Sequence, residues 1–408
     1  MEKQISGKTS MRYGGGAIDA RSALMRLFGI LQRKKIVILD SNPKLCGEIL
    51  AASDTKGTFL EHLFATPAWH PLYSIESMDG ERWEQLARDF KKLMGQIGWR
   101  ERLTPLTHKH AQTLVGVVDS EAIAKLVVRI LFELLFETPM SAEDETLFYQ
   151  ASLEWRKEIA VKGEANSKIK QDFWSRLTHL VADSKFKDGL DSYKSDPSCW
   201  LSLFAQPFLI SPQINISDIF VTVFHYLKAD TKLLDQAKKW AAEGDKARLD
   251  GIILEAIRLK HPFPILEREL KKDLTAHGEH YTSGTHIFIL LDRFKQDQDF
   301  DPERWLQSAA DNPYHSIPFA AGPRMCVGKP IAMELLVEIL KILLLQFSIE
   351  NVQPQLGHLF SGRDNDGKET KGESRHQAKI FSRALWKSFR MGRSGCPFHR
   401  LTDKSKKD

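Results

Sequence analysis

Apolar residues recur at three- and four-residue spacing through most of the stretch from about Glu81 to Leu234, and few Gly or Pro interrupt it. Glu121–Phe136 and Glu143–Val161 read most clearly as helices with a buried face. Strand signals are confined to two short runs, Lys35–Leu39 (KIVIL) and His286–Leu291 (HIFILL), the second following a turn at Ser283 and Gly284. Just after the first run, the Ser41-Asn-Pro-Lys-Leu-Cys46 stretch sets a capping residue before a proline, which predicts a helix start. The pattern predicts a mainly α chain with small β-sheets. No internal repeat is visible, and the polar stretch from Gly357 to Gly372 predicts a surface loop. The organisation expected is an N-terminal segment over 1–34 and one domain over 35–350. A loop and basic segment over 351–408 belong to that same domain.

Composition narrows the class. The 408 residues are 42% hydrophobic and 27% charged, near the globular average, which excludes whole-chain disorder and fibrous folds. Four cysteines, Cys46, Cys199, Cys326 and Cys396, are too few and too scattered for a disulfide scaffold, so a reducing, cytoplasmic setting is expected. The N-terminus has no apolar signal region, and Leu335–Phe347, broken by Glu338 and Lys341, is too short to span a bilayer; no transmembrane anchor is expected. Between Arg383 and Asp408, eight Lys/Arg face two Asp, which accounts for more than the whole formal charge of +5. A solvated tail explains that basicity. Nucleic-acid binding is not expected, because no recognition module or aromatic interleaving accompanies the charge.

Candidate chemistry concentrates in Pro318-Phe319-Ala-Ala-Gly322-Pro-Arg324-Met-Cys326-Val-Gly328, followed at once by a helix starting near Lys329. This is a glycine-hinged loop that sets one thiol at a helix N-terminus, where the dipole and backbone N–H groups favour the metal-binding thiolate. Gly322 and Gly328 allow geometry or close approach that a Cβ would block. Arg324 is placed to meet an anionic part of whatever the thiolate holds. Glu255-Ala-Ile-Arg258 sets two opposite charges on one helix face.

In this order these residues resemble the cytochrome P450 family, whose haem loop reads F-x-x-G-x-R-x-C-x-G and whose E-x-x-R and F-x-P-x-R-[FW] segments precede it, here Glu255-x-x-Arg258 and Phe300-Asp-Pro-Glu-Arg304-Trp305. The resemblance covers about Lys35 to Phe347 and implies a P450 fold with b-type haem, iron protoporphyrin IX, on Cys326. It further implies a buried bracing network of Glu255, Arg258 and Arg304. Arg268 and Arg324 become propionate partners, and Phe319, Gly322 and Gly328 cofactor-loop positions. Asp79-Gly-Glu-Arg-Trp83 looks like the start of the family's W-x-x-x-R helix, but Ala87 stands at the arginine position and Arg88 one residue later. By this resemblance Trp83 and Arg88 are cofactor contacts. The His261–Arg268 stretch resembles the segment that enters the substrate pocket through Phe263, Pro264, Ile265 and Leu266. Trp69, His70 and Tyr73 line a pocket or simply pack, and Cys396 and His399 read as surface residues of the tail.

The resemblance departs at the acid and alcohol that deliver protons to bound oxygen in family members. Counted back from Glu255, that stretch falls on Ile210–Asn215, with Gln213 at the acid and Ile214 at the alcohol; a slip of one puts Asn215 at the alcohol. None of these supplies a titratable group or hydroxyl. A competing register uses Ala229-Asp230-Thr231, and Ser211 or an ordered water is a further source of protons. The function expected is haem-thiolate oxidation of a small, largely apolar organic molecule in specialised metabolism, with a ferredoxin- or flavodoxin-type electron donor. Arg88, Lys91, Lys92 and Lys329 would attract that donor. The alternatives are an atypical member performing coupling, peroxide-dependent oxidation, dehydration or rearrangement, and, from another class, a haem sensor or non-catalytic pseudoenzyme.

Overall fold

The computed structural model describes residues 25–26, 29–30, 34–56, 75, 78–159, 165–263, 265–291, 294 and 299–354. Pro264, the Trp69–Tyr73 loop, residues 357–372, Cys396 and His399 lie outside them, as does most of the proposed 1–34 and 351–408 segments.

Strand β1 (Ile36–Leu39) leads into helix α1 (Pro43–Ala52), which Asn42 caps by accepting from Leu45 N at 3.0 Å. Helices α2 (Gly80–Ile97), α3 (Trp99–Ala111), α4 (Ser120–Phe136), α5 (Ala142–Ile159) and α6 (Ser167–Ala182) follow, then the short α7 (Asp188–Ser192). Next comes one helical run over Pro197–Ala229, divided into α8 (Pro197–Phe204), a π-helical turn (Ala205–Ile210) and α9 (Ser211–Ala229). The break has a local cause: Pro207 and Pro212 each lack an N–H, and the ladder widens around them. Ser152 of α5 donates to Ile210 O at 2.6 Å and satisfies a carbonyl there. This run is also long and apolar enough to cross a membrane, the one such helix among the described residues, but two-thirds of its apolar window is buried by neighbouring elements, as in a core helix.

Helices α10 (Thr231–Glu243) and α11 (Lys246–Leu259) precede a three-stranded sheet with order β1-β5-β2. Here β5 (His286–Leu290) runs parallel to β1, pairing Ile36 with His286, and antiparallel to β2 (Ile265–Glu269), pairing Ile265 with Leu290. Between them β3 (Leu274–Ala276) and β4 (Glu279–Tyr281) form a hairpin. A 3-10 turn at Pro302–Leu306, a second at Gly322–Arg324, helix α12 (Lys329–Gln346) and a third 3-10 turn at Ile349–Asn351 complete the order. Val118 N donates to Asn351 O and Gln353 N to Val118 O, so residues 351–353 pack onto the same core as the start of α4.

Two apolar clusters result. The larger joins α2–α6, α8–α12 and the π turn; the smaller lies between α1 and the β1-β5-β2 sheet and includes Cys46, Ile49, Ile287 and Tyr314. The cysteine loop runs where they meet: Phe319 packs on the first, and Ala320 and Ala321 on the second.

Candidate functional site: a cysteine loop at a helix N-terminus

The loop is fixed from three sides. Cys326 N donates to Phe319 O at 2.8 Å, and Lys329 N donates to Cys326 O as α12 begins. Gly322 sits at φ +67, and a Cβ there would lie 2.5 Å from Ala51 O and 2.8 Å from Leu50 O, so the loop rests directly on the backbone of α1. Gly328 differs: its φ is −82 and a Cβ would meet only the Cys326 sulfur, at 3.9 Å. The backbone at 328 therefore does not itself require glycine, and the one group a side chain there would meet is the Cys326 sulfur. Cys326 is half-buried and not disulfide-bonded, whereas Cys46 and Cys199 are buried.

Behind the loop, Glu255 is fully buried and its two oxygens accept five hydrogen bonds. Arg258 donates Nε to Oε2 at 2.8 Å and Nη2 to Oε1 at 2.7 Å. Arg304 Nε and Asp301 N reach Oε1, each at 3.0 Å, and Trp305 Nε1 reaches Oε2 at 2.9 Å. Both guanidinium groups lie against the Tyr314 ring, at 4.8 and 5.8 Å. Helix α11 approaches the Pro302–Leu306 turn so closely that a Cβ on Gly251 would fall 2.5 Å from Pro302 O. The expected trio is thus brought together, with Trp305 and Tyr314 as members the motif did not assign.

His261 ties this end of α11 to the loop. Its Nε2 is 3.1 Å from Pro318 O and its Nδ1 accepts from Phe263 N at 3.0 Å, which fixes the neutral Nε2–H tautomer. Burial pushes its pKa down to about 4.

The remaining expected residues divide. Trp83 is half-buried beneath the Arg324 guanidinium, whose carbon is 3.8 Å from the ring centre. Arg88 does not join them. Its side chain is 64% exposed beside Glu84, because one residue on a helix turns the side chain by about 100° from the face the W-x-x-x-R spacing needs. Arg268 is buried on β2 and donates to Glu267 O at 2.8 Å. Arg324 donates to Asp54 O at 2.6 Å, to Met78 O at 2.7 Å and to the Asp79 carboxylate, all groups of this chain. Of the pocket residues, Phe263 packs on Trp155 of α5, 6.0 Å between ring centres, whereas Leu266 turns into the sheet cluster and Ile265 starts β2 opposite Leu290.

Gln213 is fully buried, its Nε2 donating to Phe148 O at 3.1 Å and to Leu209 O in the π turn. Ile214 is buried beside it. Asn215 accepts from Arg156 of α5 at 2.7 Å and donates to Ser211 Oγ at 2.6 Å. Arg156, fully buried, also pairs with Asp218; burial holds its pKa down at about 10 and raises that of Asp218. The charges sit 62 residues apart in sequence, so no local pattern announces them. In the competing register, Asp230 is exposed at the junction of α9 and α10, where it accepts from Lys232 N and Leu233 N as a cap.

A soft thiolate donor at a glycine-lined helix N-terminus, braced by a buried carboxylate network, fits an iron porphyrin on the thiol side. A mainly helical fold presenting one such thiol is the class this geometry defines. The cytochrome P450 family model matches residues 247–359. Cytochrome P450 4d2 of Drosophila melanogaster is 32% identical over 123 residues, covering 28% of this chain and 25% of that protein. A mitochondrial cholesterol side-chain cleavage enzyme of Hypanus americanus is 22% identical over 407 residues, covering 79% and 78%. A six-coordinated cytochrome P450 structure from Thermus thermophilus superposes with a TM-score of 0.57 at 20% identity over 76% of this chain and 84% of that one. Over residues 247–359 the chain is similar to the cytochrome P450 family, and its fold is that of solved P450 structures. It spans about a quarter of the length of the first curated relatives it matches.

Proposed function

We propose that the chain is a haem-thiolate oxidoreductase that oxidises a small organic molecule. The observation that carries this reading is the half-buried Cys326 thiol, held at the start of α12 by the bond to Phe319 O, with no Cβ at residue 328 to cover it. Cys326 would hold the haem iron; when bound, the haem supplies the redox chemistry, and thiolate donation favours O–O cleavage. Arg268 and Arg324 would hold propionates, while Glu255, Arg258, Arg304 and Trp305 keep the loop in place. Phe263 and Trp155 offer the apolar wall of the pocket, and the adjacent buried Arg156, 5.8 Å from the Phe263 ring, adds a charged edge. A role in specialised metabolism, a cytoplasmic location and a ferredoxin- or flavodoxin-type donor complete the proposal. The donor would meet the exposed Lys91, Lys92, Met325 and half-exposed Lys329. The protein reconstituted with haem, reduced under carbon monoxide, should give the red-shifted Soret band of thiolate ligation. Cys326→Ala should abolish that band; its persistence would remove Cys326 as ligand.

One observation favours an atypical reaction within this class. Gln213 spends its amide on two backbone carbonyls and Ile214 has no hydroxyl, so neither donates a proton into the site. Coupling, dehydration, peroxide use or rearrangement depends less on that delivery than ordinary hydroxylation does. Product analysis with a surrogate reductase and with peroxide separates these outcomes.

A further inference from the structure

Asp79 occupies the N-cap position of α2, where a carboxylate ordinarily accepts from the second or third backbone N–H of its helix. It makes no such bond here. Its Oδ1 instead takes the Arg324 guanidinium and, at 3.1 Å, the Lys56 backbone N–H. Arg324 is 5% exposed, stacked on Trp83 and bonded to the carbonyls of Asp54 and Met78. The guanidinium expected at a haem propionate is therefore held by a carboxylate of this chain. That carboxylate has a second place to go without leaving its own residue: the cap it leaves unmade.

We propose that Asp79 competes with a haem propionate for Arg324, yielding it on loading as its own side chain turns back to cap α2. This rests on the haem-thiolate reading above. Two carboxylates at one guanidinium repel each other, so the propionate displaces Asp79 rather than joining it. The exchange trades one charge-assisted bond for another of the same kind. The new cap, favoured by the helix dipole, then biases the balance toward the loaded state. A permanent strut would behave in the opposite way, since its bonds would be the same with and without haem.

Hemin titration of the full-length protein, followed in the Soret region, separates the two. Asp79→Asn keeps a capping side chain but removes the competing charge, and should bind hemin about tenfold more tightly than wild type. Asp79→Ala removes competitor and cap together, and should gain about fivefold less than Asp79→Asn. With haem dimethyl ester, whose propionates carry no charge, the advantage of Asp79→Asn should vanish. Equal or weaker hemin binding by Asp79→Asn, or an advantage that persists with the ester, overturns the exchange. A wild type that takes up no hemin, or lacks the thiolate band, overturns the haem reading itself.

Discussion

His261 Nε2 lies 3.1 Å from Pro318 O while its Nδ1 accepts from Phe263 N, so one neutral imidazole joins the segment that carries Phe263 to the start of the cysteine loop. Protonation at Nδ1 would break the second bond and bury a charge. The folded pKa of about 4 lies below the ordinary 6.5, so the unfolded chain binds the proton more tightly. Stability is therefore fully present above pH 6.5 and is lost as pH falls from there toward 4, by roughly 3 kcal/mol. Urea unfolding midpoints across this window should fall in wild type and fall less in His261→Gln.

Removing the Glu255 carboxylate leaves Arg258 and Arg304 without their shared counter-charge. Glu255→Ala should cost about 3–5 kcal/mol and yield protein that does not retain haem. Trp305→Phe removes one of the five bonds to Glu255 and should cost only about 1–3 kcal/mol, leaving haem retention largely intact. Melting temperature and haem stoichiometry check both; a Glu255→Ala protein with normal melting would contradict the network.

The two glycines of the loop should respond differently. Gly322→Ala must strain a left-handed backbone and push against Ala51 O, and should destabilise the whole fold by about 2 kcal/mol or more. Gly328→Ala has ordinary φ and meets only a sulfur at 3.9 Å, so the haem-free melting temperature should stay within a degree or two. Its effect should appear in hemin affinity, which is expected to drop. Equal melting losses in both variants would refute the distinction.

Gln213→Glu would set a carboxylate against the carbonyls of Phe148 and Leu209 that the amide now serves. The new side chain should be held protonated and the protein destabilised by about 1–3 kcal/mol, more as pH rises. Restoring an acid with Gln213→Glu and Ile214→Thr therefore needs its stability measured beside the coupling of reductant to product. Better coupling in a variant that still folds would show that proton supply limits the wild type.

The helices, the two principal strands and the cysteine loop were legible because each is written locally, in periodicity or in motif spacing. Glu255 and Arg258 are three residues apart on one helix, and Arg304 was reachable through its own motif. What escaped depends on long-range meeting. Arg156 finds Asp218 and Asn215 on another helix, Arg324 finds Asp79 across 245 positions, and His261 finds Pro318 across 57. Arg88 lies exposed beside Glu84, away from Trp83 and Arg324, because near-match spacing in sequence becomes a different face of the helix. The two prolines of the Pro197–Ala229 run do lie in the sequence, and their spacing could have announced the π turn just ahead of Gln213.

The seat of Gly322 on Leu50 and Ala51 bears on the order of assembly. The ligand loop closes on a helix made some 270 residues earlier, so a ribosome must deliver nearly the whole described chain before this contact forms. A fragment beginning after Ala52 would contain every motif that carries the likeness to cytochrome P450 proteins, yet lack the floor on which the thiol is presented. Such a fragment should accumulate as haem-free, aggregation-prone protein, and co-expression of the missing N-terminal piece is the way to restore it.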